Sequence, residues 1–347
     1  MRRKVTAQDI ADELGLSRNT VSKALNNRNS IADSTRKIVI QKATEMGYKR
    51  IKSVPSMDRD FGFKKTGNIV AITHEYYIDA SYWSIVSRGA ADALSQAGYN
   101  MIFDYIKAVE EDSLIIPQNI SADNVDGIII LGSLKADYIK ELLKLKLPVV
   151  YVDAAMELFG TEFMRDTVLM ENEESIYQIT KSLIAQGHSQ LGFIGDIGFC
   201  KSYYERWLGF KRALEEANLN LYHQFCITSK TLHHYQQLEE IKEPIDGLIP
   251  MPTAFICAND RSAIFLTKIL KDKGLRIPLD IAISGFDDIF ESTVVEPHLT
   301  TVRILKEELG QRAAEELLWR IQNPKRPIEV IHIATEAIYR ESTIKVS

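Results

Sequence analysis

The chain has 347 residues, 45% of them hydrophobic, with 42 Lys and Arg against 47 Asp and Glu for a formal net charge of −5. That length exceeds one small module and that composition can bury a substantial core. The acidic total looks wrong for a nucleic-acid binder until it is split by position. Residues 1–52 hold 12 Lys and Arg against 5 Asp and Glu, a net +7, and the remainder holds 30 against 42, a net −12. Positive charge gathered at one end is the distribution a DNA-binding head requires. Cys200, Cys226 and Cys257 are odd in number and have no C-x-x-C spacing, so they suggest neither a disulfide framework nor a zinc site and read as reduced core thiols. No apolar run reaches transmembrane length, and the start MRRK leads into a polar helix, so a cytoplasmic protein is expected.

In chain order, Val5–Asn26 comes first: VTAQDIADELGLSRNTVSKALN. Thr6 sits at an N-cap position with Asp9 as its capping-box partner, and Ile10, Ala11 and Leu14 form an apolar stripe at helical spacing. Gly15 ends that helix. Ser17 caps a second one whose Val21, Ala24 and Leu25 face inward, leaving Arg18, Asn19, Ser22 and Lys23 outward. Arg and Asn can grip guanine and adenine edges bidentately, while Ser, Thr and Lys hold phosphates, so Arg18 and Asn19 are expected to read bases. A small three-helix packing module with a solvated polar face fits the same pattern.

The order V-T-x-x-D-I-A, then G-L-S-x-x-T-V-S-K-A-L-N, then a third-helix stretch Ser34–Tyr48 ending M-G-Y, resembles the DNA-binding headpiece of the lac repressor family of bacterial transcription regulators. The resemblance implies base reading by Arg18, Asn19 and Lys23, with Thr6, Ser17, Thr20, Ser22 and Asn26 near the DNA backbone. Lys23 departs from the family's usual Arg, and an ammonium lacks the planar fork, which points its contact to another base or to phosphate. The linker Lys49–Gly67 should be mobile without DNA. The family's hinge helix with its minor-groove wedge is not recognisable in it. Met57 or Phe61, after a Ser56 cap, are the candidate wedges, with Asp58 and Asp60 unfavourably close to phosphates.

From Asn68 short apolar runs alternate with amphipathic segments. NIVAIT, MIFDYI, GIIIL and VVYV read as strands, separated by helical stretches such as 85–97 and 135–145. A second lobe repeats the scheme with LGFIG, AFICA and IAISGFDD and helices at 173–186, 204–217 and 262–273. The fold class is therefore an all-α helix-turn-helix headpiece followed by an α/β domain of two lobes with doubly wound parallel sheets. The expected domains are a headpiece at 1–50, a hinge at 51–66 and an effector-binding and dimerisation domain at 67–347. Within the last, the first lobe takes 67–165 with a return near 298–325, and the second takes 166–297 with the C-terminus.

Gly187-His188 with LGFIGD, R-x-x-G-F at Arg206–Phe210, CAND at Cys257–Asp260, GFDD at Gly285–Asp288, Pro297 with LTTV, and Arg340–Thr343 resemble the same family's effector-binding domain, itself similar to periplasmic sugar-binding proteins. The resemblance implies that Arg206 and Asp260 hold hydroxyls or polar groups of a small effector, with Ser202 a third contact. It places Thr73–Trp83 on the first-lobe contact loop, with Tyr82 and Trp83 as an aromatic platform. His74 and Asp153, after the strand VVYV, complete the candidates. Asp287-Asp288 read as loop-capping groups rather than a catalytic dyad.

No P-loop, G-x-S-x-G, H-E-x-x-H or Gly-rich dinucleotide fingerprint is present, so neither an enzyme nor a cofactor is expected. His74 and His233-His234 lack carboxylate or cysteine partners at ligand spacing, so no metal is expected. The reading is a homodimeric, ligand-responsive regulator, most naturally a repressor of carbohydrate-related genes, with operator DNA and a sugar-like effector as partners. A non-sugar effector or a partner protein bound to the effector domain is the alternative.

Overall fold

The computed structural model describes residues 5–25, 66–77, 81–231, 234–235 and 237–344, with Thr35, Ile38, Val39, Lys42, Ala43 and Met46. The chain forms two compact units, residues 1–62 and 63–347. In the first, helix α1 (Ala7–Leu14) opens with a complete capping box: the Asp9 amide donates to the Thr6 hydroxyl at 3.3 Å and the Thr6 amide to the Asp9 carboxylate at 2.7 Å. Gly15 ends it at φ 63°, a left-handed conformation that a residue with a Cβ resists. Helix α2 (Arg18–Leu25) starts on Ser17, whose hydroxyl accepts from the Thr20 amide at 3.0 Å. Ile10, Ala11, Val21, Ala24 and Leu25 bury together with Val39 and Ala43, so the two-helix pattern closes over the described part of the third-helix stretch.

The second unit holds two parallel sheets. One has six strands in the order β11-β5-β4-β3-β1-β2, from β1 (Asn68–His74), β2 (Asn100–Ile106), β3 (Gly127–Leu131), β4 (Val149–Val152), β5 (Asp166–Met170) and β11 (Val330–Ile333). The other has four in the order β7-β6-β8-β9, from β6 (Leu191–Ile194), β7 (Cys226–Ile227), β8 (Ala254–Cys257) and β9 (Ala282–Ser284). Central strands such as GIIIL and AFIC are buried along their whole length because helices cover both faces of a parallel sheet. A short antiparallel pair, β10 (Thr301–Arg303) with β12 (Glu336–Ile338), extends the second lobe, where Ser284 bridges to Thr300 and Asp287 to Arg303.

Two segments change lobe relative to the sequence expectation. Residues 166–170, assigned to the second lobe, pair Asp166–Val168 with Val150–Val152 in the first sheet. The C-terminal strand β11 then pairs alongside β5 rather than in the second lobe. Both strands are short and apolar, and nothing in such a run says which sheet receives it. The chain thus crosses between lobes three times, after β5, after β10 and between β11 and β12. Helix α3 (Ser81–Gln96) packs on helix α10 (Lys306–Gln322) in the first lobe, and α6 (Glu173–Ala185) packs on α7 (Lys201–Glu216) in the second. Between these in chain order lie α4 (Ala108–Asp112), α5 (Ala136–Leu143), α8 (Leu238–Asp246) and α9 (Asp260–Asp272).

Candidate effector cleft and DNA-facing helix

The strand ends of both sheets converge on a cavity of about 330 Å³. Tyr77 follows β1, Asp153 follows β4, Met170 ends β5, Cys200 follows β6, Asn259 follows β8 and Asp287 follows β9. Ligands bind beyond strand C-termini in doubly wound sheets because the connecting loops there are free to carry side chains. The two lobes meet beneath the cavity through backbone bonds: Lys201 N donates to Ala154 O at 3.0 Å, and Ala155 bridges Cys200.

One wall is aromatic. Trp83 packs edge-on to Tyr77 at 5.4 Å and to Tyr82 at 4.9 Å between ring centroids. Gly132, at φ 80°, lets these rings sit on the strand end, since a Cβ there would lie 2.9 Å from Tyr77 and 3.1 Å from Trp83. The Tyr82 hydroxyl is buried without a hydrogen-bond partner among the described residues. An unpaired buried hydroxyl costs about 1–3 kcal/mol.

The opposite wall is polar. Arg206 is 3% exposed and donates from Nε to Asn172 Oδ1 at 2.9 Å and from Nη1 to the Ala258 carbonyl, with its guanidinium 3.5 Å above the Phe286 ring centroid. Its Nη2 lies 3.7 Å from Asp287 Oδ1. Asp287 has φ 118°, and burial lifts its carboxyl to about 6 against the pull of Arg206 and Lys306. Asp153, at φ 60°, accepts from the Ala154 amide at 2.8 Å and the Ser202 amide at 3.4 Å; burial still raises its carboxyl. Asn259 caps the helix that follows it, accepting from Ser262 N at 2.8 Å and donating to the Tyr203 hydroxyl at 2.5 Å. Arg261, Phe199 and Phe265 complete the mouth.

Of the effector residues expected from the sequence, Arg206, Asp153, Tyr82 and Trp83 line this cavity and three do not. Asp260 is fully buried behind it, its carboxylate accepting from the Thr301 hydroxyl at 2.5 Å and the Ile289 amide at 3.0 Å. Its side chain therefore anchors the loop that carries Asp287 instead of reaching into the cavity. Ser202 is 1% exposed and turns its hydroxyl to Met170 Sδ. His74 points to Glu111, 3.8 Å away, and its Nδ1 accepts from the Tyr76 amide. The cavity positions expected for Asp260 belong to Asn259 and Asp287. Asn259 is the extended cap residue two positions past β8 and faces the cleft, whereas Asp260 is the first residue of the helix; Asp287 lies three positions past β9. Asp288 keeps the structural role foreseen for the pair, held by Arg340 at 2.6 Å and Arg303 at 2.9 Å.

Nothing in the cavity is set up as a nucleophile. Burial pushes the Cys200 thiol well above its ordinary range, so it stays protonated. Among the described residues no group of three His, Cys, Asp or Glu side chains could hold a metal ion. His234 instead pairs with Asp196 at 2.7 Å and stacks on Phe199; His233 lies outside the described residues. No helix among them is long and apolar enough to cross a membrane.

In the first unit, Arg18 and Asn19 are exposed on the first turn of α2, and Ser22 and Lys23 are half-buried one turn on. The Thr6, Ser17 and Thr20 hydroxyls are engaged in capping, with Ser17 and Thr20 2.8 Å apart. Asn26 and the wedge candidates Met57 and Phe61 lie outside the described residues.

Residues 6–50 match the family model described as bacterial regulatory proteins of the lacI family, and residues 180–343 match a periplasmic binding protein-like domain. The chain is 27% identical over 341 residues to catabolite control protein A of Priestia megaterium, covering 98% of this chain and 99% of that one. It is 26% identical over 343 residues to the HTH-type transcriptional repressor PurR of Vibrio vulnificus, covering 99% of each. Among solved structures it is similar, with a TM-score of 0.66 and 25% identity, to a LacI family transcriptional regulator from Enterococcus faecium with bound ribose; the match covers 81% of this chain and all of that one.

Proposed function

The chain belongs to the lacI family of bacterial regulatory proteins, and from that premise we propose that it is a dimeric repressor whose grip on a pseudo-palindromic operator is set by a small sugar-like effector. The observation that carries the effector class is the pairing of walls in the cleft: flat rings of Tyr77 and Trp83 on one side, Asp153, Asp287, Asn259 and Arg206 on the other. A sugar presents an apolar ring face and a rim of hydroxyls, and such a site meets both at once.

α2 lies in the major groove in this reading, with Arg18 and Asn19 on base edges and Lys23 on a further base or a phosphate. Thr6, Ser17, Thr20, Ser22 and Asn26 line the DNA backbone. Two copies related by a two-fold axis place two such helices on successive half-sites. Ligand in the cleft favours one arrangement of the lobes, so operator and effector change each other's affinity by the same factor. The protein would act in the cytoplasm, where the chromosome is.

A thermal-shift panel of neutral sugars and sugar phosphates tests the cleft. A ligand at about 100 times its Kd stabilises the native state by roughly 2.7 kcal/mol. The expected result is one stabilising sugar whose effect disappears in Asp287→Ala and persists, weakened, in Asp260→Asn. A panel without any shift would remove the sugar reading and favour a non-sugar effector or a protein partner.

A further inference from the structure

Behind the cavity, Arg206 is the first member of a hydrogen-bonded chain that reaches the surface. Its Nε donates to Asn172 Oδ1 at 2.9 Å. Asn172, 1% exposed, stands where the chain leaves β5 and crosses to the second lobe. Its amide nitrogen donates to Met170 O at 2.8 Å and to Glu205 Oε2 at 2.9 Å. Glu205, one residue before Arg206, turns its other oxygen to His332 Nε2 at 3.4 Å and Lys201 Nζ at 3.6 Å. His332 lies on β11, the edge strand beside the third crossing, with a side chain 40% exposed.

The direction of this chain is fixed by its two ends. A carboxylate and a carbonyl both need the NH₂ of Asn172, so its oxygen is left facing the guanidinium. Were Glu205 to move, only the Met170 carbonyl and a longer bond to Ser202 Oγ at 3.4 Å would hold that orientation, and a flipped amide would set donors against donors. We propose that Asn172 and Glu205 are positioning residues for Arg206, and that the charge on His332 sets how firmly they hold it. For effector binding this rests on the cleft reading above, and it makes the hold on the effector's polar rim weaken as His332 loses its proton.

The charged groups facing His332 are Glu205 and Lys201 from α7 and Glu171 from the end of β5. The bond to Glu205 is the main cause raising the imidazole above its usual range, helped by the charges of Glu205 and Glu171 and opposed by burial and Lys201. Burial pushes Glu205 up, but its bonds from His332 and Asn172 outweigh this and hold it low. A raised histidine contributes its full interaction below the unfolded value of about 6.5 and loses it as pH rises through the folded one.

The test is effector-free. The full chain, with ¹⁵N in its arginines and histidines, is followed by NMR through a pH titration, with the Arg206 Nε–H signal assigned from Arg206→Lys. The expected result is a shift of that signal with the same midpoint as His332, above about 6.5, which vanishes in His332→Gln. In Glu205→Gln the His332 midpoint should fall, and in Asn172→Leu the Nε–H should exchange with water at least about tenfold faster, as loss of a bond to a charged group requires. A His332 titration that leaves Arg206 unmoved, or an Arg206 shift that survives His332→Gln, overturns the proposal. Because no sugar is present, neither outcome bears on the sugar reading, and a blank sugar panel leaves this relay standing.

Discussion

Asn259 and Asp260 are neighbours with opposite duties. Asn259 ends the loop after β8 and faces the cavity, while Asp260 begins the helix and turns into protein. Burial is the first cause lifting the Asp260 carboxyl to about 7, with the nearby Asp287 charge second, against bonds from Thr301 and Ile289. The native state therefore keeps this proton where an unfolded chain, at about 3.9, has lost it. Its contribution to stability is present below about 4 and is lost as pH rises through about 7. Asp260→Asn should flatten the fall in melting temperature across that window; an unchanged profile would show that Asp260 titrates normally. In the other unit, Arg18→Ala or Asn19→Ala should lower discrimination between operator and altered operator by roughly 1–3 kcal/mol. Equal weakening on every sequence would make them phosphate contacts. Lys23→Arg should shift preference at a base if Lys23 reads one, and leave the preferred sequence intact if it holds phosphate.

At the level of elements, glycines decide how closely the covering helices approach. Gly310 of α10 faces the Val86 carbonyl of α3 so closely that a Cβ would lie 1.8 Å from that oxygen, and Gly89 meets Glu307 O at 2.0 Å in the same way. In the second lobe a Cβ on Gly209 would lie 2.1 Å from Glu173 O. These contacts are with backbone, which cannot rotate aside as a side chain can. Gly310→Ala should destabilise the effector domain by about 1–3 kcal/mol through overpacking, read as a lower midpoint in urea. Gly98, with open space around it, is the control for size, although its φ of 79° makes its own substitution strained. Since Lys306, the first residue of α10, donates to the carbonyls of Asp287 and Asp288, a displaced helix should also loosen the cleft.

For the whole molecule, charge separation and an uncovered face are what matter. The basic head carries the electrostatic attraction to DNA and the acidic remainder does not compete for it. Beside the edge strand β2, Tyr105, Val109, Leu114 and Ile115 stand exposed, Val109 at 65% and Ile115 at 54%. These apolar side chains, Tyr105 on β2 and the rest on α4 and the turn after it, are costly to leave in water, and we propose this patch as the face on which the two-fold dimer forms. Val109→Lys with Ile115→Lys should convert the dimer to monomer in sedimentation and reduce operator affinity, because one head then binds one half-site. A variant that still sediments as a dimer would move the interface to another face.

The alternation of strand and helix from Asn68, the capped helix pair around Gly15 and the charge asymmetry are local or additive properties, so the sequence by itself determined the head and the two-lobed α/β plan. Arg206, Asp153, Tyr82 and Trp83 could be singled out because each sits beside a recognisable strand end or motif. Tertiary structure decided what depends on facing direction and on partners distant in the chain. It sent β5 and β11 to the first sheet, because short apolar strands fit either one until their neighbours are in place. It put Asn259 and Asp287 in the cavity and Asp260 behind it, because Asn259 is the extended cap residue whereas Asp260 is the first residue of the helix and is held inward by Thr301 and Ile289. And it joined Arg206 to His332, 126 positions apart in sequence, through two side chains whose hydrogen bonds have meaning only when both lobes are folded.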